Sequence, residues 1–90
     1  MHWFDWLRLS RLYPRMITPA QCRAARGLLN WKQKELAEHS GVTAVTILNF
    51  ESGKTSPHYS TLKLLKETFE KAGVEFIDKN GGGPGLRLKE

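Results

Sequence analysis

The chain has one cysteine, Cys22, which leaves no intramolecular disulfide framework and no four-cysteine zinc site. It shares its helical spacing with the apolar positions Ala25 and Leu29, which favours a core thiol over a reactive one. The three histidines, His2, His39 and His58, lie far apart without a His-x-x-x-His spacing, so no metal is expected. No apolar run approaches the ~20 residues that a membrane span needs. The aromatic N-terminus is interrupted by Asp5 and Arg8 and no small-residue cleavage site follows, so it does not read as a signal peptide. The expected compartment is therefore the cytoplasm. Ninety residues are enough for one small domain with a modest core, and too few for two domains with a cleft between them. There is no Ser/His/Asp or Cys/His grouping, no carboxylate pair in an apolar setting, and little volume for a pocket. The expectation is a protein that is not an enzyme and holds no cofactor.

What is present is the balance of a soluble globular domain, with 40% apolar and 26% charged residues. Fourteen Lys and Arg against nine Asp and Glu give +5 at neutral pH, an excess that favours a polyanionic partner. The charge is unevenly spread. Arg8, Arg11, Arg15, Arg23 and Arg26 face Asp5 alone in the first third, whereas Lys32, Lys34 and Lys54 are cancelled by Glu35, Glu38 and Glu51 in the middle.

The chain divides into an extension (1–15), a helical domain (16–73) and a tail (74–90). In the extension, Trp3, Phe4, Trp6, Leu7, Leu9, Leu12 and Tyr13 are dense enough for burial but scatter around a helix instead of forming a stripe. They suit a contact arm for a dimer mate, a partner or a membrane surface, or a helix covering the domain's own core, or else a poorly ordered lead-in. The first firm helix opens at Thr18-Pro19-Ala20-Gln21, a capping box with proline at the first helical position, and fades between Gly27 and Asn30. Cys22, Ala25 and Leu29, with Leu28 beside them, form its apolar face, and Arg23 points elsewhere.

A second helix is expected from about Lys32 to His39, burying Leu36 and Ala37 and stopped by Ser40-Gly41. Thr43 caps a third, running to about Ser52 with Ile47 and Phe50 inward. A fourth spans about His58 to Ala72, with Leu62, Leu65, Phe69 and Ala72 on one face, and Gly73 closes it. The tail then changes period. Val74–Ile77 and Leu86–Lys89 flank a Gly/Pro/Asn cluster and read as a β-hairpin with a long loop. That glycine-rich stretch lacks the following helix and the Gly-Lys-Ser/Thr ending of a phosphate cradle. Because a lone hairpin is marginal in water, it must pack on the helices or pair with another chain.

Two short helices joined by Ser40-Gly41-Val42 have the proportions of a helix-turn-helix, the third helix lying across the second. With Leu36, Ala37, Val42, Ile47 and Phe50 packed inward, Ala44, Val45, Thr46, Leu48 and Asn49 are directed outward or partly so. A helix of this width fits the major groove of DNA.

Residues from about Met16 to Phe69 resemble the lambda-repressor-like (XRE-type) helix-turn-helix family. The resemblance is carried by Arg26, Gln33, Leu36-Ala37, Gly41-Val42-Thr43, Ile47, Phe50-Glu51-Ser52-Gly53-Lys54, Pro57 and Leu62, with the spacing intact. It implies a mainly α fold: a compact four-helix domain, here with an N-terminal aromatic extension and a short C-terminal β-hairpin. It implies double-stranded DNA as partner and regulation of transcription as function, with a repressor acting by promoter occupancy as the first expectation. By resemblance, Ala44, Val45, Thr46 and Asn49 occupy base-reading positions. Gln33, Thr43, Ser52 and the backbone after it, Lys54 and Thr55 match phosphate-contacting ones, and Arg26 and Glu51 match an internal ion pair. A homodimer on a palindromic site is expected, with a further protein partner possible through the N-terminal arm or the hairpin.

The chemistry of the residues agrees with those roles. The Asn49 amide donates and accepts together, as an adenine edge requires, whereas Ala44 and Val45 sense only a thymine methyl or exclude bulk. Free N–H groups at the helix N-termini near Gln33 and Thr43 suit phosphate. The sequence departs from the pattern at Lys32, where an N-cap Ser or Thr is usual and a further phosphate contact becomes available. It departs again at Leu48, an outward apolar residue that weakens base reading or marks a protein contact, and in the hairpin that replaces a fifth helix. Two further readings keep the same fold: an antitoxin holding a toxin through its arm or hairpin, and a protein-interaction adaptor without DNA binding.

Overall fold

The computed structural model describes residues 16–77 and 85–89. The readings of the N-terminal extension, of its role as a partner arm, and of the glycine-rich loop lie outside the described residues. Helices α1 (Pro19–Leu29), α2 (Gln33–Ser40), α3 (Ala44–Glu51) and α4 (Tyr59–Lys71) are followed by strands β1 (Val74–Ile77) and β2 (Gly85–Leu88). This is the expected four-helix, mainly α fold with a short C-terminal hairpin, each boundary falling within a residue or two of its signal.

The local chemistry accounts for the boundaries. At the start of α1 the Gln21 N–H donates to Thr18 Oγ1 at 3.1 Å and the Thr18 N–H donates to Gln21 Oε1 at 3.0 Å, so two orphan donors are satisfied reciprocally. Asn30 ends α1 in the left-handed region at φ 58°, which asparagine tolerates better than most side chains. Lys32 has no oxygen with which to cap α2, and its own N–H instead donates to Glu35 Oε1 at 2.8 Å. The tight exit from α2 rests on Gly41 at φ 81°, whose N–H donates to the Ala37 carbonyl at 2.9 Å. Ser40 Oγ then accepts from the Val42 N–H at 3.1 Å, closing the turn that redirects the chain into α3.

Phe69, Leu36, Ile47, Leu65, Val74 and Cys22 are fully buried and draw on all four helices and β1. On α4 the inward stripe is Leu62, Leu65 and Phe69, at i, i+3 and i+7. Truncating a side chain such as Phe69 to alanine typically costs about 3–5 kcal/mol. Leu29 and Ala37 pack at the margin of this core, whereas Leu28 departs from its expected apolar face and is exposed. Its position turns it one step past the stripe that Cys22 and Ala25 define.

The hairpin is antiparallel, pairing Val74 with Leu88 and Phe76 with Leu86, and it packs on the helices of its own chain. Phe76 meets Phe69 edge-on with ring centroids 6.0 Å apart, and Gln21 Nε2 donates to the Gly85 carbonyl at 3.2 Å. The Lys89 N–H donates to the Gly73 carbonyl at 2.6 Å, so the strands are tied to α1 and to the end of α4. The Glu75–Arg87 pair at 3.0 Å is largely solvent-exposed and contributes about 0–1 kcal/mol.

Candidate nucleic-acid interface

Helix α3 has two unlike sides. Ile47, Phe50 and Glu51 are buried, whereas Ala44, Val45 and Leu48 are exposed and Thr46 and Asn49 are half-buried. At 100° per residue, Ala44, Leu48, Val45 and Asn49 fall within an arc of about 140° on the outward side. The side-chain amide of Asn49 makes no hydrogen bond among the described residues, and its backbone carbonyl accepts from Lys54 N–H at 2.9 Å.

Both ends of α3 are fixed. At its N-terminus Thr43 Oγ1 accepts from the Thr46 N–H at 3.2 Å and donates to Thr46 Oγ1 at 2.9 Å. This leaves the Ala44 and Val45 N–H groups in the first turn without helical partners. At its C-terminus the Arg23 guanidinium, reaching across from α1, donates to the Glu51 carbonyl. Arg23 does point away from the core, as its place on α1 requires, but it is not free. Helical periodicity carries no sign of this contact, because it joins residues far apart in sequence.

Beneath α3, the Glu51 carboxylate gathers donors from two other helices. Arg26 Nε and Nη2 donate to it at 2.8 and 2.6 Å in a bidentate pair, Gln33 Nε2 at 3.1 Å and the Cys22 thiol at 3.1 Å. Arg26 Nη1 also donates to the Trp31 carbonyl at 3.1 Å. Burial alone would raise the Glu51 pKa, but the hydrogen bonds from Arg26, Gln33 and Cys22 and the Arg26 charge outweigh it and hold the carboxyl below its ordinary range. The hydrogen bond to Glu51 and the Glu51 charge, against the opposing effect of burial, push the Arg26 guanidinium up. Burial, then the bond to Glu51 and its charge, pushes the Cys22 thiol up. Sequence reasoning linked Arg26 with Glu51 by resemblance and missed the donation from Cys22 and Gln33. Gln33, expected to face phosphate, has its amide nitrogen turned inward to Glu51, which leaves its Oε1 and the N-terminal N–H groups of α2.

Lys32, Thr43, Ser52, Lys54 and Thr55 are exposed. The backbone donors after Ser52 do not stand free, as the resemblance implied. Gly53 N–H goes to the Phe50 carbonyl at 3.0 Å, and the Lys54 and Thr55 N–H groups go to the Asn49 carbonyl at 2.9 and 3.3 Å. The turn consumes them in closing the C-terminus of α3, and Ser52 Oγ donates to the same Asn49 carbonyl at 3.2 Å, so the side chains of Lys54 and Thr55 are what it presents outward.

A cleft of about 550 Å³ beside the N-terminus of α2 is lined by Arg23, Arg26, Trp31, Lys32, Lys34 and Glu35 among others. Its wall is predominantly cationic. The near-neutral count of the central segment therefore misstates its surface. Glu51 is buried and paired, which leaves Lys32, Lys34 and Lys54 exposed against an exposed Glu38 and a half-buried Glu35. Trp31 stacks flat on His39, with centroids 4.3 Å apart and planes 5° from parallel, bracing the entry to α2 against its last turn.

Among the described residues no helix is long and apolar enough to cross a membrane, and no group of three or more His, Cys, Asp or Glu could hold a metal. A family model described as helix-turn-helix matches residues 23–76. No curated protein matches the chain.

Proposed function

Because this chain belongs to the lambda-repressor-like helix-turn-helix family, whose members are DNA-binding regulators, we propose that it is a sequence-specific transcriptional repressor that occludes a promoter. The observation that carries this reading is the outward side of α3. It offers an unpartnered amide at Asn49 with Ala44, Val45 and Thr46 beside it, on a helix wide enough for the major groove. Asn49 reads an adenine edge, for about 1–3 kcal/mol of discrimination against the wrong base. Lys32, Lys54, Thr43, Ser52 and Thr55 set the register on the sugar-phosphate chain, together with the N-terminal N–H groups of α2 and the Gln33 oxygen. Arg26 and Glu51 hold α1 and α3 in the geometry that presents those groups. The protein acts in the cytoplasm as a homodimer on half-sites about 34 Å apart.

Exposed Lys32, Lys34 and Lys54 support DNA over an adaptor without nucleic-acid binding, since Glu51, one of the three acidic residues that cancel them in the count, is buried and paired. The test is fluorescence anisotropy of the full chain on its own upstream promoter duplex and on a scrambled duplex, at ~50 and ~200 mM salt. Promoter preference that survives the higher salt and falls with Asn49→Ala supports the reading. Absence of binding at low salt refutes it and returns the chain to a protein partner, as an antitoxin or adaptor.

A further inference from the structure

Val45 and Leu48 are 66% and 51% exposed, the two most exposed large apolar side chains among the described residues. They lie at i and i+3 on α3, adjacent on the helix surface, within the arc that also holds Ala44 and Asn49. Exposure of this kind is unusual at the centre of a surface meant for a polar, charged partner, and an apolar side chain there gains only by meeting another apolar group.

The edges of DNA base pairs offer one such group in the major groove, the 5-methyl of thymine. Elsewhere those edges present the guanine N7 and O6, the adenine N7 and N6 and the cytosine N4. Covering any of these with valine or leucine removes water from a polar atom and supplies no hydrogen bond in return. We infer that Val45 and Leu48 form a single apolar surface that selects thymine by its methyl groups, so that the half-site is an adenine read by Asn49 with thymines at the neighbouring positions. Leu48 is then a specificity residue rather than a flaw in the reading surface or a protein contact. The surroundings favour this occupant. Lys54, whose N–H is bonded to the Asn49 carbonyl, puts an exposed cation at the C-terminal end of this helix, no acidic side chain of α3 is exposed, and the Asn49 amide beside the patch has no partner among the described residues. An apolar partner surface covering Val45 and Leu48 would bury that amide unsatisfied, whereas a base pair satisfies it. The inference rests on the DNA-binding reading and names the bases that reading leaves open.

The experiment begins with selection of duplexes by the full chain from a randomised DNA library. The selected duplex is then resynthesised with deoxyuridine replacing thymine one position at a time, which removes a methyl and keeps every hydrogen-bonding group. Each contacted methyl is expected to be worth about fourfold in affinity, or about 0.8 kcal/mol at about 1.4 kcal/mol per tenfold. The deoxyuridine penalty should vanish at one position in Leu48→Ala and at another in Val45→Ala. Both side chains are exposed, so these variants keep the fold, which circular dichroism checks. A fully deoxyuridine-substituted duplex bound as tightly as the thymine form, while Asn49→Ala still weakens binding, overturns the inference and leaves the DNA reading standing. Leu48→Ala that weakens thymine and deoxyuridine duplexes alike also overturns it. A library from which no duplex is enriched overturns both.

Discussion

The Cys22 thiol on α1 donates to the Glu51 carboxylate on α3 across 3.1 Å, with both side chains buried. A thiolate at that position would face an anion in a desolvated site, so the proton stays on sulfur. Nucleophilic attack needs the thiolate. Alkylation of Cys22 by iodoacetamide should therefore be very slow in native buffer and should accelerate through the unfolding transition, its rate reporting the unfolded fraction. Reaction at the same speed in native and denaturing buffer would contradict this placement.

The bidentate Arg26–Glu51 pair sits at 18% and 4% side-chain exposure. Glu51→Gln keeps the shape and removes the charge, leaving a mostly buried guanidinium without its counter-ion. A loss of about 3–5 kcal/mol is expected from urea unfolding. Replacing both partners, as Arg26→Met with Glu51→Leu, should recover much of that loss, because no unpaired charge is then buried. Equal destabilisation by the single and double substitutions would mean that packing, rather than charge, dominates the site.

Glu51 also predicts an acid limb in stability. Its folded pKa lies below the unfolded one, so the unfolded chain binds the proton more readily. The contribution is complete above the ordinary carboxylate range, near about pH 4.3, and is lost as pH falls through the lowered folded value. The stability difference between wild type and Glu51→Gln, measured by urea melts at successive pH values, should narrow on acidification. A constant difference would show that Glu51 is not the titrating group.

Lys54→Ala and Lys32→Ala should weaken binding to promoter and scrambled duplexes by similar factors. Each should reduce the slope of log affinity against log salt by about 1, the signature of one lost phosphate contact. Loss confined to the promoter duplex would instead assign the residue to base reading.

The elements were legible because their signals are local. Thr18-Pro19-Ala20-Gln21 states a helix start within four residues, and Gly41 states a stop in one. The inward positions Ile47, Phe50, Leu62, Leu65 and Phe69 follow from spacing alone. What was hidden runs across the fold. Arg23 closing α3 and Cys22 and Gln33 meeting on Glu51 each join groups whose proximity depends on how helices cross, which no periodicity encodes, and Trp31 lying on His39 depends on how the chain enters α2. The free backbone expected after Ser52 failed for a related reason. The turn uses those N–H groups on its own helix end, and composition cannot reveal which donors a turn consumes.

The split character of α3 bears on how such a chain changes over time. Its attachment to the rest of the protein runs through Ile47, Phe50 and Glu51 and through the two ends, while Ala44, Val45, Leu48 and Asn49 bear little of it. On the proposed reading, target choice and folding are thus written in separate letters of one eight-residue word. Replacements at the four outward positions leave the scaffold's stability nearly untouched, so new preferences are reachable by single steps through folded intermediates. A library confined to those positions would be a compact route to redirected binders.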